Sequence, residues 1–257
     1  MTPLPVEYLS QIKTLLPPET IIQDISRRRG LGVDASFYQL IPQLVLKLSC
    51  LQQVQSVLAL SHQFGVAVTF RAAGTSLSGQ GVSDSVLMTL TDDWRQHEII
   101  DDGLRIKLQP GIIGADANRI LAGYGRKIGP DPASINSCKI GGIAANNASG
   151  MCCGVAHNSY YTVKNMTLVL ADGSVVDTSD ASSVVQFRQD HSSLLNEVEA
   201  LAQMCQKNER LRELITHKYR LKNTCGYALN ALIDYQDPLD VLMHLMIGSE
   251  GTLGFIA

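Results

Sequence analysis

The feature that most constrains the fold is a strand–helix–strand pattern in the first third of the chain. Residues 44–48 form an extended apolar run, residues 51–64 carry apolar side chains at helical spacing, and residues 66–70 are β-branched and aromatic. Gly65 stands where the helix is expected to end. Because strands joined through one helix usually run in the same direction, this pattern predicts a parallel pair of strands.

Later segments predict antiparallel structure. Two turn signals separate pairs of expected strands: Asp101-Asp102-Gly103 between residues 98–100 and 104–108, and Asp172-Gly173 between residues 164–170 and 174–177. Another strand is expected at residues 86–90, and helices at residues 5–15, 115–121, 193–205 and 239–246. The combination predicts an α+β protein of two lobes, residues 1–128 and 129–257, with their boundary near residues 125–130.

Charge and composition argue against some functions. The chain has 257 residues, of which 45% are hydrophobic, and a net charge of −3 without a basic stripe. A nucleic acid is therefore not an expected partner. No apolar stretch reaches the roughly 18 residues of a membrane span, and residues 1–16 lack the pattern of a signal peptide. We expect a cytoplasmic protein, with peripheral association at the inner face of the membrane left open.

Cysteine and histidine spacing predicts no metal site. The six cysteines and six histidines show neither C-x-x-C nor H-x-x-x-H spacing. We expect the cysteines to be small buried hydrophobes, and the adjacent Cys152 and Cys153 leave a redox element as the lesser alternative. The histidines are expected at the surface or satisfied in the core, and His157 is the nearest to a glycine-rich segment.

A glycine- and serine-rich loop, residues 71–81, directly follows the second predicted strand. Its glycines let the backbone approach a ligand closely, and its consecutive amide groups can form a nest for an anion. Thr75, Ser76 and Ser78 add hydroxyl donors. No lysine follows Gly79 as in a P-loop, and no G-x-G-x-x-G occurs in the chain. The loop therefore predicts a ligand site that is neither a P-loop nor a Rossmann fingerprint.

Two further segments have the same character. Residues 129–150 consist mostly of Gly, Ala, Asn and Ser, which are too small to pack a core and too poor in charge for an exposed linker. Residues 248–256 carry three glycines at intervals of three residues before Phe255 and Ile256, which indicates a tight turn that leads into a strand beside a ligand. For each segment alone, sharp turns between strands remain the alternative.

Three motifs occur in a recognisable order: T-F-R-A-A-G-T-S-L-S-G, then G-P-D-P-A-S with I-G-G-I-A-A-N-N-A-S-G, then G-S-E-G-T-L-G-F-I. Together they resemble the FAD domain of the vanillyl-alcohol oxidase/p-cresol methylhydroxylase superfamily, and within it the FAD-linked D-2-hydroxyacid dehydrogenases that oxidise D-lactate or glycolate. Residues 20–38 resemble the long members, in which an iron–sulfur module follows. The resemblance implies a two-lobed FAD-binding fold of p-cresol methylhydroxylase type, with a small parallel or mixed sheet lobe and a larger antiparallel sheet lobe flanked by helices.

The resemblance also implies which residues contact FAD. The pyrophosphate is expected in the first loop, at Arg71, Ala72, Ala73, Gly74, Thr75, Ser76, Leu77 and Ser78. The flavin, its ribityl chain and the path of the diphosphate are expected at Asp131, Pro132, Ser134, Gly141, Gly142, Asn147, Ser149 and Gly150. Glu250, Gly251 and Ile256 are expected to close the site. Ala72 and Ala73 depart from the glycines of many relatives, and the loop lacks the histidine that attaches flavin covalently in some, so we expect non-covalent FAD.

The resemblance places substrate-binding and proton-abstracting groups in a later cap domain and C-terminal segment. The chain ends three residues after Gly254, inside an expected strand. We therefore expect the catalytic residues beyond residue 257 and no turnover by this chain alone. The implied reaction is oxidation of a D-2-hydroxy acid such as D-lactate to the 2-oxo acid by hydride transfer to FAD, with the electron acceptor unidentified.

Two alternatives for the function stay open, and one for the structure of residues 222–227. The chain could be a nucleotide-binding module without turnover, or its flavin scaffold could serve another reaction such as sugar-nucleotide reduction or aldonolactone oxidation. Residues 222–227 resemble a family stretch that reaches the flavin side of the site, and a helix-terminating turn at Gly226 explains the same residues equally well.

Overall fold

The computed structural model describes residues 3–150, 154–223 and 226–257, so Cys152 and Cys153 lie outside the described residues. The helices in this part of the chain are α1 (Val6–Leu15), α2 (Ile25–Gly30), α3 (Leu51–Phe64), α4 (Gly114–Ala122), α5 (Ile140–Ala145), α6 (Ser159–Thr162), α7 (Ala181–Asp190), α8 (Ser192–Lys207), α9 (Glu209–Tyr219), α10 (Ala231–Asp234) and α11 (Pro238–Met246), with a 3₁₀ turn at Pro18–Thr20. The strands are β1 (Ile21–Ile22), β2 (Leu44–Leu48), β3 (Val68–Arg71), β4 (Val86–Leu90), β5 (His97–Ile100), β6 (Arg105–Leu108), β7 (Thr167–Val169), β8 (Val175–Asp177) and β9 (Phe255–Ile256).

A four-stranded mixed sheet forms the first half of the molecule, in the order β1-β2-β4-β3. Both β2 and β3 run parallel to β4, and β1 is antiparallel to β2. The predicted parallel relation of β2 and β3 is therefore confirmed, and β4 lies between them. Helix α3 connects β2 to β3 and ends at Gly65, whose φ of 62° is a left-handed conformation that favours glycine.

The antiparallel elements lie later in the chain. Strands β5 and β6 form the predicted hairpin, and β8, β7 and β9 form a three-stranded antiparallel sheet. The α+β class is confirmed. The antiparallel sheet itself is small for the larger lobe that was expected, since it has three strands of two or three residues each. The bulk of this half comes instead from its helices, which together supply most of its buried apolar side chains; α8 and α11 contribute the largest shares.

Buried hydrophobic side chains form two large clusters on either side of the predicted lobe boundary. The first includes one face of β2, where Leu44, Leu46 and Leu48 are fully buried, and the second is built largely on helices after residue 160. Val169 and Phe255 belong to the later half of the chain but pack in the first cluster. The two halves therefore share packed surface, and the lobe bounds 1–128 and 129–257 stay a prediction.

Among the residues described, no helix has both the length and the apolar character needed to cross a membrane. The same residues contain no group of three or more His, Cys, Asp or Glu side chains arranged to hold a metal ion.

Candidate functional site

A cavity of about 370 Å³ lies where three parallel strands end. Leu48, Arg71 and Leu90 are the last residues of β2, β3 and β4, and all three line it. In open sheets of this kind, the carboxyl ends of parallel strands are the usual ligand site. The volume falls within the roughly 300 to 1,000 Å³ typical of small-molecule and cofactor pockets.

The first glycine-rich loop forms one wall of the cavity. Gly74 and Gly79 have φ angles of 69° and 81°, which place them in the left-handed region. The loop is held from outside by residues 32–40: the Ala35 amide donates to the Gly74 carbonyl at 3.0 Å, and the Tyr38 ring packs on Gly79. A Cβ atom at Gly79 would lie 2.7 Å from that ring, so the close approach requires glycine.

Arg71 is the most buried charged residue of the cavity wall, with 8% of its surface exposed. Its Nε donates to the Gly81 carbonyl at 2.7 Å, and its Nη2 is buried without a hydrogen-bond partner. Burial lowers the pKa of Arg71, and the nearby carboxylate of Asp34 acts in the opposite direction. A guanidinium stays charged in proteins, so the wall carries a buried cation with unused donors.

The second segment forms the facing wall. The Gly141 amide donates to the Pro110 carbonyl at 3.0 Å, and a Cβ atom at Gly141 would lie 2.8 Å from Pro110 Cβ. Gly142 and Ala72 both line the cavity and are direct neighbours, because a Cβ atom added at Gly142 would lie 3.2 Å from the alanine Cβ. Lys139 precedes α5 and lines the cavity, and burial lowers its pKa while the charge of Asp92 partly opposes this.

The third segment closes the cavity against the second. The Glu250 amide donates to the Ala145 carbonyl at 2.9 Å, and the Asn146 side chain donates to Glu250 Oε1 at 2.5 Å. Glu250 has a φ of 56°, and burial raises its pKa although the Asn146 hydrogen bond acts against the shift. Ile256 lies in β9, which pairs with β7. The segment is therefore a turn that leads into a strand, as its glycines predict.

The structure brings most of the predicted site residues to this cavity. Fifteen of them line it: Arg71, Ala72, Ala73, Gly74, Thr75, Ser76, Leu77, Ser78, Pro132, Ser134, Gly141, Gly142, Glu250, Gly251 and Ile256. The four others, Asp131, Asn147, Ser149 and Gly150, are not part of the lining.

Those four residues have structural contacts beside the cavity. Asn147 adopts a φ of 49° and its Oδ1 accepts a hydrogen bond from the Tyr160 amide at 3.1 Å. Gly150 lies so close to Asp131 that an added Cβ would be 1.7 Å from the aspartate carbonyl oxygen. Ser149 is buried and its hydroxyl has no partner among the described residues. They shape the second segment where it turns away from the cavity.

Several lining residues lie outside the predicted set, because that set followed the glycine-rich motifs. They include the apolar Leu48, Phe70, Met88, Leu90, Pro110, Ile143 and Phe255, and the polar Gln80, Lys139 and Asn146. Lys139 directly precedes the Ile140-Gly141-Gly142 motif. A lysine beside a glycine-rich motif is the sequence signal from which its place in the cavity lining could have been predicted. The apolar strand residues carry no signal that separates cavity lining from core.

None of the six histidines lines the cavity in the part of the chain that the structure describes. His244 is buried instead between Tyr160 and Tyr235, with its Nδ1 at 2.8 Å from the Asp240 carbonyl, and burial lowers its pKa. In residues 222–227, of which Thr224 and Cys225 lie outside the description, no described residue lines the cavity. Gly226 has a φ of 78°, as a turn requires.

Comparison with known proteins gives both a family and a set of relatives. Residues 42–179 match the model of a family described as FAD binding domain. The chain is 22% identical to a D-2-hydroxyglutarate dehydrogenase of Haemophilus influenzae over 98% of its length and 25% of that protein. It is 31% identical to the mitochondrial D-lactate dehydrogenase [cytochrome] 1 of Saccharomyces cerevisiae over 84% of its length and 28% of that protein.

Solved structures show the same fold. An alkyldihydroxyacetonephosphate synthase superposes on all of the chain and on 39% of its own with a TM-score of 0.62 and 16% identity. The chain spans about a quarter of the length of the two curated relatives above. The matched residues 42–179 include the first loop and the whole second segment, both of which line the cavity. The chain belongs to the family described as FAD binding domain.

Proposed function

We propose that this chain provides the FAD site of a flavin-dependent oxidoreductase that oxidises a D-2-hydroxy acid, such as D-lactate, to the 2-oxo acid. The observation that carries the proposal is the cavity at the ends of β2, β3 and β4, whose walls are the three glycine-rich segments. The hydroxy-acid part rests on the names of the relatives, a D-2-hydroxyglutarate and a D-lactate dehydrogenase.

The cavity lining fits a dinucleotide with a diphosphate and a flat ring system. Its polar part combines the cations of Arg71 and Lys139 with hydroxyl groups of the first loop, and charge-assisted hydrogen bonds of this kind suit phosphate. Its apolar part includes Met88, Phe255 and Ile256, which suit an aromatic ring. The unpartnered buried Nη2 of Arg71 indicates that this wall is completed by an acceptor.

The residues of this chain bind and orient the cofactor in the proposed reaction. Bound FAD would accept the hydride that leaves the α-carbon of the hydroxy acid. Arg71 and the loop amides would hold the diphosphate, and the closely packed Gly141, Gly142 and Gly251 would fix the width of the cavity around the ring. We propose that the groups that bind the acid and remove its hydroxyl proton, and any iron–sulfur cluster, lie outside these 257 residues.

We propose a location in the cytoplasm or at the inner face of the membrane. We also propose that FAD is held without a covalent bond. The support is the absence of a lining histidine among the described residues, with Cys138 as the thiol that lines the cavity. Release of all flavin on acid precipitation would support non-covalent binding. Flavin that stays with the precipitated chain would overturn it, and its loss in Cys138→Ser would locate the bond.

Two alternatives use the same cavity. A nucleotide-binding module would bind FAD without any change on addition of substrate, and a different flavin reaction would respond to a sugar nucleotide or an aldonolactone. The test is anaerobic addition of D-lactate, D-2-hydroxyglutarate, their L-enantiomers and an aldonolactone to the FAD-loaded chain and to a longer chain that extends past residue 257. Loss of the flavin's visible absorbance with a D-acid in the longer chain supports the proposal. No loss with either acid, or a loss with an aldonolactone alone, contradicts it.

A further inference from the structure

The side chain of Asp34 lies next to Arg71 but belongs to none of the three glycine-rich segments. An added Cβ atom at Gly81 would lie 3.4 Å from Asp34 Oδ2 and 3.5 Å from Arg71 Nε. At Gly74 it would lie 3.7 Å from Asp34 Cβ and 3.6 Å from Arg71 Cδ. The two charged side chains therefore lie together against Gly74 and Gly81 of the first loop.

The two carboxylate oxygens of Asp34 have different surroundings. Oδ1 accepts hydrogen bonds from the amide of Ser36 at 2.8 Å and from its hydroxyl at 2.5 Å. Oδ2 is buried and has no hydrogen-bond partner among the described residues, as is the case for Nη2 of Arg71. Burial acts to raise the pKa of Asp34, but the Ser36 hydrogen bonds, the nearby backbone amide of Gly81 and, last, the charge of Arg71 outweigh it and hold the pKa below its usual value.

Arg71 depends on this carboxylate for its charge balance. It is more than nine-tenths buried, and among the described residues its guanidinium makes one hydrogen bond, from Nε to the Gly81 carbonyl. Asp34 is the charged group that acts to raise the pKa of Arg71 against the effect of burial. A buried charge without a counter-charge is strongly unfavourable, so removal of Asp34 favours conformations in which the guanidinium leaves the wall for solvent.

We propose that Asp34 is a positioning residue for the cofactor site: it holds the Arg71 guanidinium in the cavity wall, where the guanidinium binds the diphosphate of the dinucleotide. The inference rests on the proposed FAD site. It extends that site to the loop at residues 32–40, which is closed on itself by the hydrogen bond from the Leu40 amide to the Gly32 carbonyl at 3.0 Å and is tied to the first loop through Ala35 and Gly74.

Two effects of removing the carboxylate have opposite signs. If Asp34 positions Arg71, its loss weakens the binding of a diphosphate. If Asp34 only lowers the positive potential of the wall, its loss strengthens the binding of the same anion, because like charges repel. The direction of the change in affinity therefore decides between the two roles.

The decisive variant is Asp34→Asn, since asparagine can still accept the Ser36 hydrogen bonds through its side-chain carbonyl and removes only the charge. Asp172→Asn is a matched control: Asp172 accepts from the amide and hydroxyl of Ser174 at 2.9 and 2.5 Å, the same local turn, but does not line the cavity. Dissociation constants of the full chain and its variants are measured for FAD, for ADP and for riboflavin, which lacks phosphate.

We expect Asp34→Asn to weaken FAD and ADP binding by about tenfold, which is the size of the contribution of one hydrogen bond to a charged group. Riboflavin binding should stay within about twofold of the wild type. Arg71→Gln should give the same pattern. The double variant should be no weaker than Arg71→Gln, because Asp34 acts through Arg71. Asp172→Asn should bind all three ligands as the wild type does.

Several results would overturn the inference. Tighter or unchanged FAD and ADP binding in Asp34→Asn would leave Asp34 without a positioning role, and so would additive losses in the double variant. Equal loss of riboflavin would mean that Asp34 maintains the loop structure rather than the orientation of Arg71. A wild-type chain that binds none of the three ligands would instead defeat the proposed FAD site itself.

Discussion

The side-chain amide of Asn146 donates a 2.5 Å hydrogen bond to the carboxylate of Glu250, 104 residues later in the chain. Asn146 directly follows α5, and Glu250 occupies a left-handed position in the third segment. Both line the cavity, so this bond joins two of its walls. The residue pair also sets a measurable pH dependence, because burial raises the pKa of Glu250 above its usual 4.5.

A raised pKa in the folded chain means that the folded state binds the proton more tightly than the unfolded state. The stability that this provides is complete below the unfolded pKa and is lost as pH rises through the folded pKa. Glu250→Gln keeps an acceptor for Asn146 and removes the titration. We therefore expect the stability of the variant relative to wild type to increase as the pH rises above about 4.5, as measured by urea unfolding without cofactor. A difference between variant and wild type that is constant or shrinks with rising pH would refute the assignment.

The gap between Gly142 and Ala72 belongs to the cavity lining. A Cβ at Gly142 would lie 3.2 Å from Ala72 Cβ, and since α5 is helical at this position, alanine suits the backbone. Gly142→Ala should therefore bind FAD about tenfold more weakly or worse, and overpacking should lower its stability by about 1–3 kcal/mol. Gly123→Ala is the control, because its added Cβ meets nothing nearer than 3.9 Å. Unchanged FAD affinity in Gly142→Ala, by fluorescence titration, would show that the gap is not part of the site.

Phe255 connects the two halves of the molecule. Its ring lies 5.4 Å from that of Phe70 and 5.8 Å from that of Trp94, and it belongs to the hydrophobic cluster of the first half. Phe255→Ala should lower the free energy of unfolding by about 3–5 kcal/mol, the usual cost of truncating a buried phenylalanine. Phe37→Ala, at a side chain that is 97% exposed, should change it little. A loss below about 1 kcal/mol in Phe255→Ala would mean that β9 is not packed against the first half.

Local pattern predicted most of the regular elements. Strand β4 was predicted with both of its ends, and α3 with its terminating Gly65, because apolar periodicity and a left-handed glycine are properties of the segment itself. Helices α7 and α9 were not predicted. In α7 only Phe187 is buried and in α9 only Ile215, so neither has the apolar stripe by which a helix is recognised.

The local sequence pattern did not predict which strands pair when they are distant in the chain. Nothing in residues 86–90 indicates that this strand inserts between β2 and β3, and nothing in Phe255-Ile256 indicates β7 as its partner. The same limit applies to the site. Small residues that bring backbone to a cavity are visible in the sequence, whereas the contribution of Asp34 and Lys139 depends on which distant side chains they face.

Retention of FAD by the purified chain tests the central claim most directly. The measurement is the melting temperature of the apo chain as FAD is added, with adenosine as a ligand that lacks diphosphate and flavin. We expect a melting temperature that rises with FAD concentration as binding to the folded state requires, a smaller effect of adenosine, and a reduced FAD effect in Arg71→Gln. If the chain neither retains FAD nor gains thermal stability from it, the cavity at the ends of β2, β3 and β4 is not a FAD site.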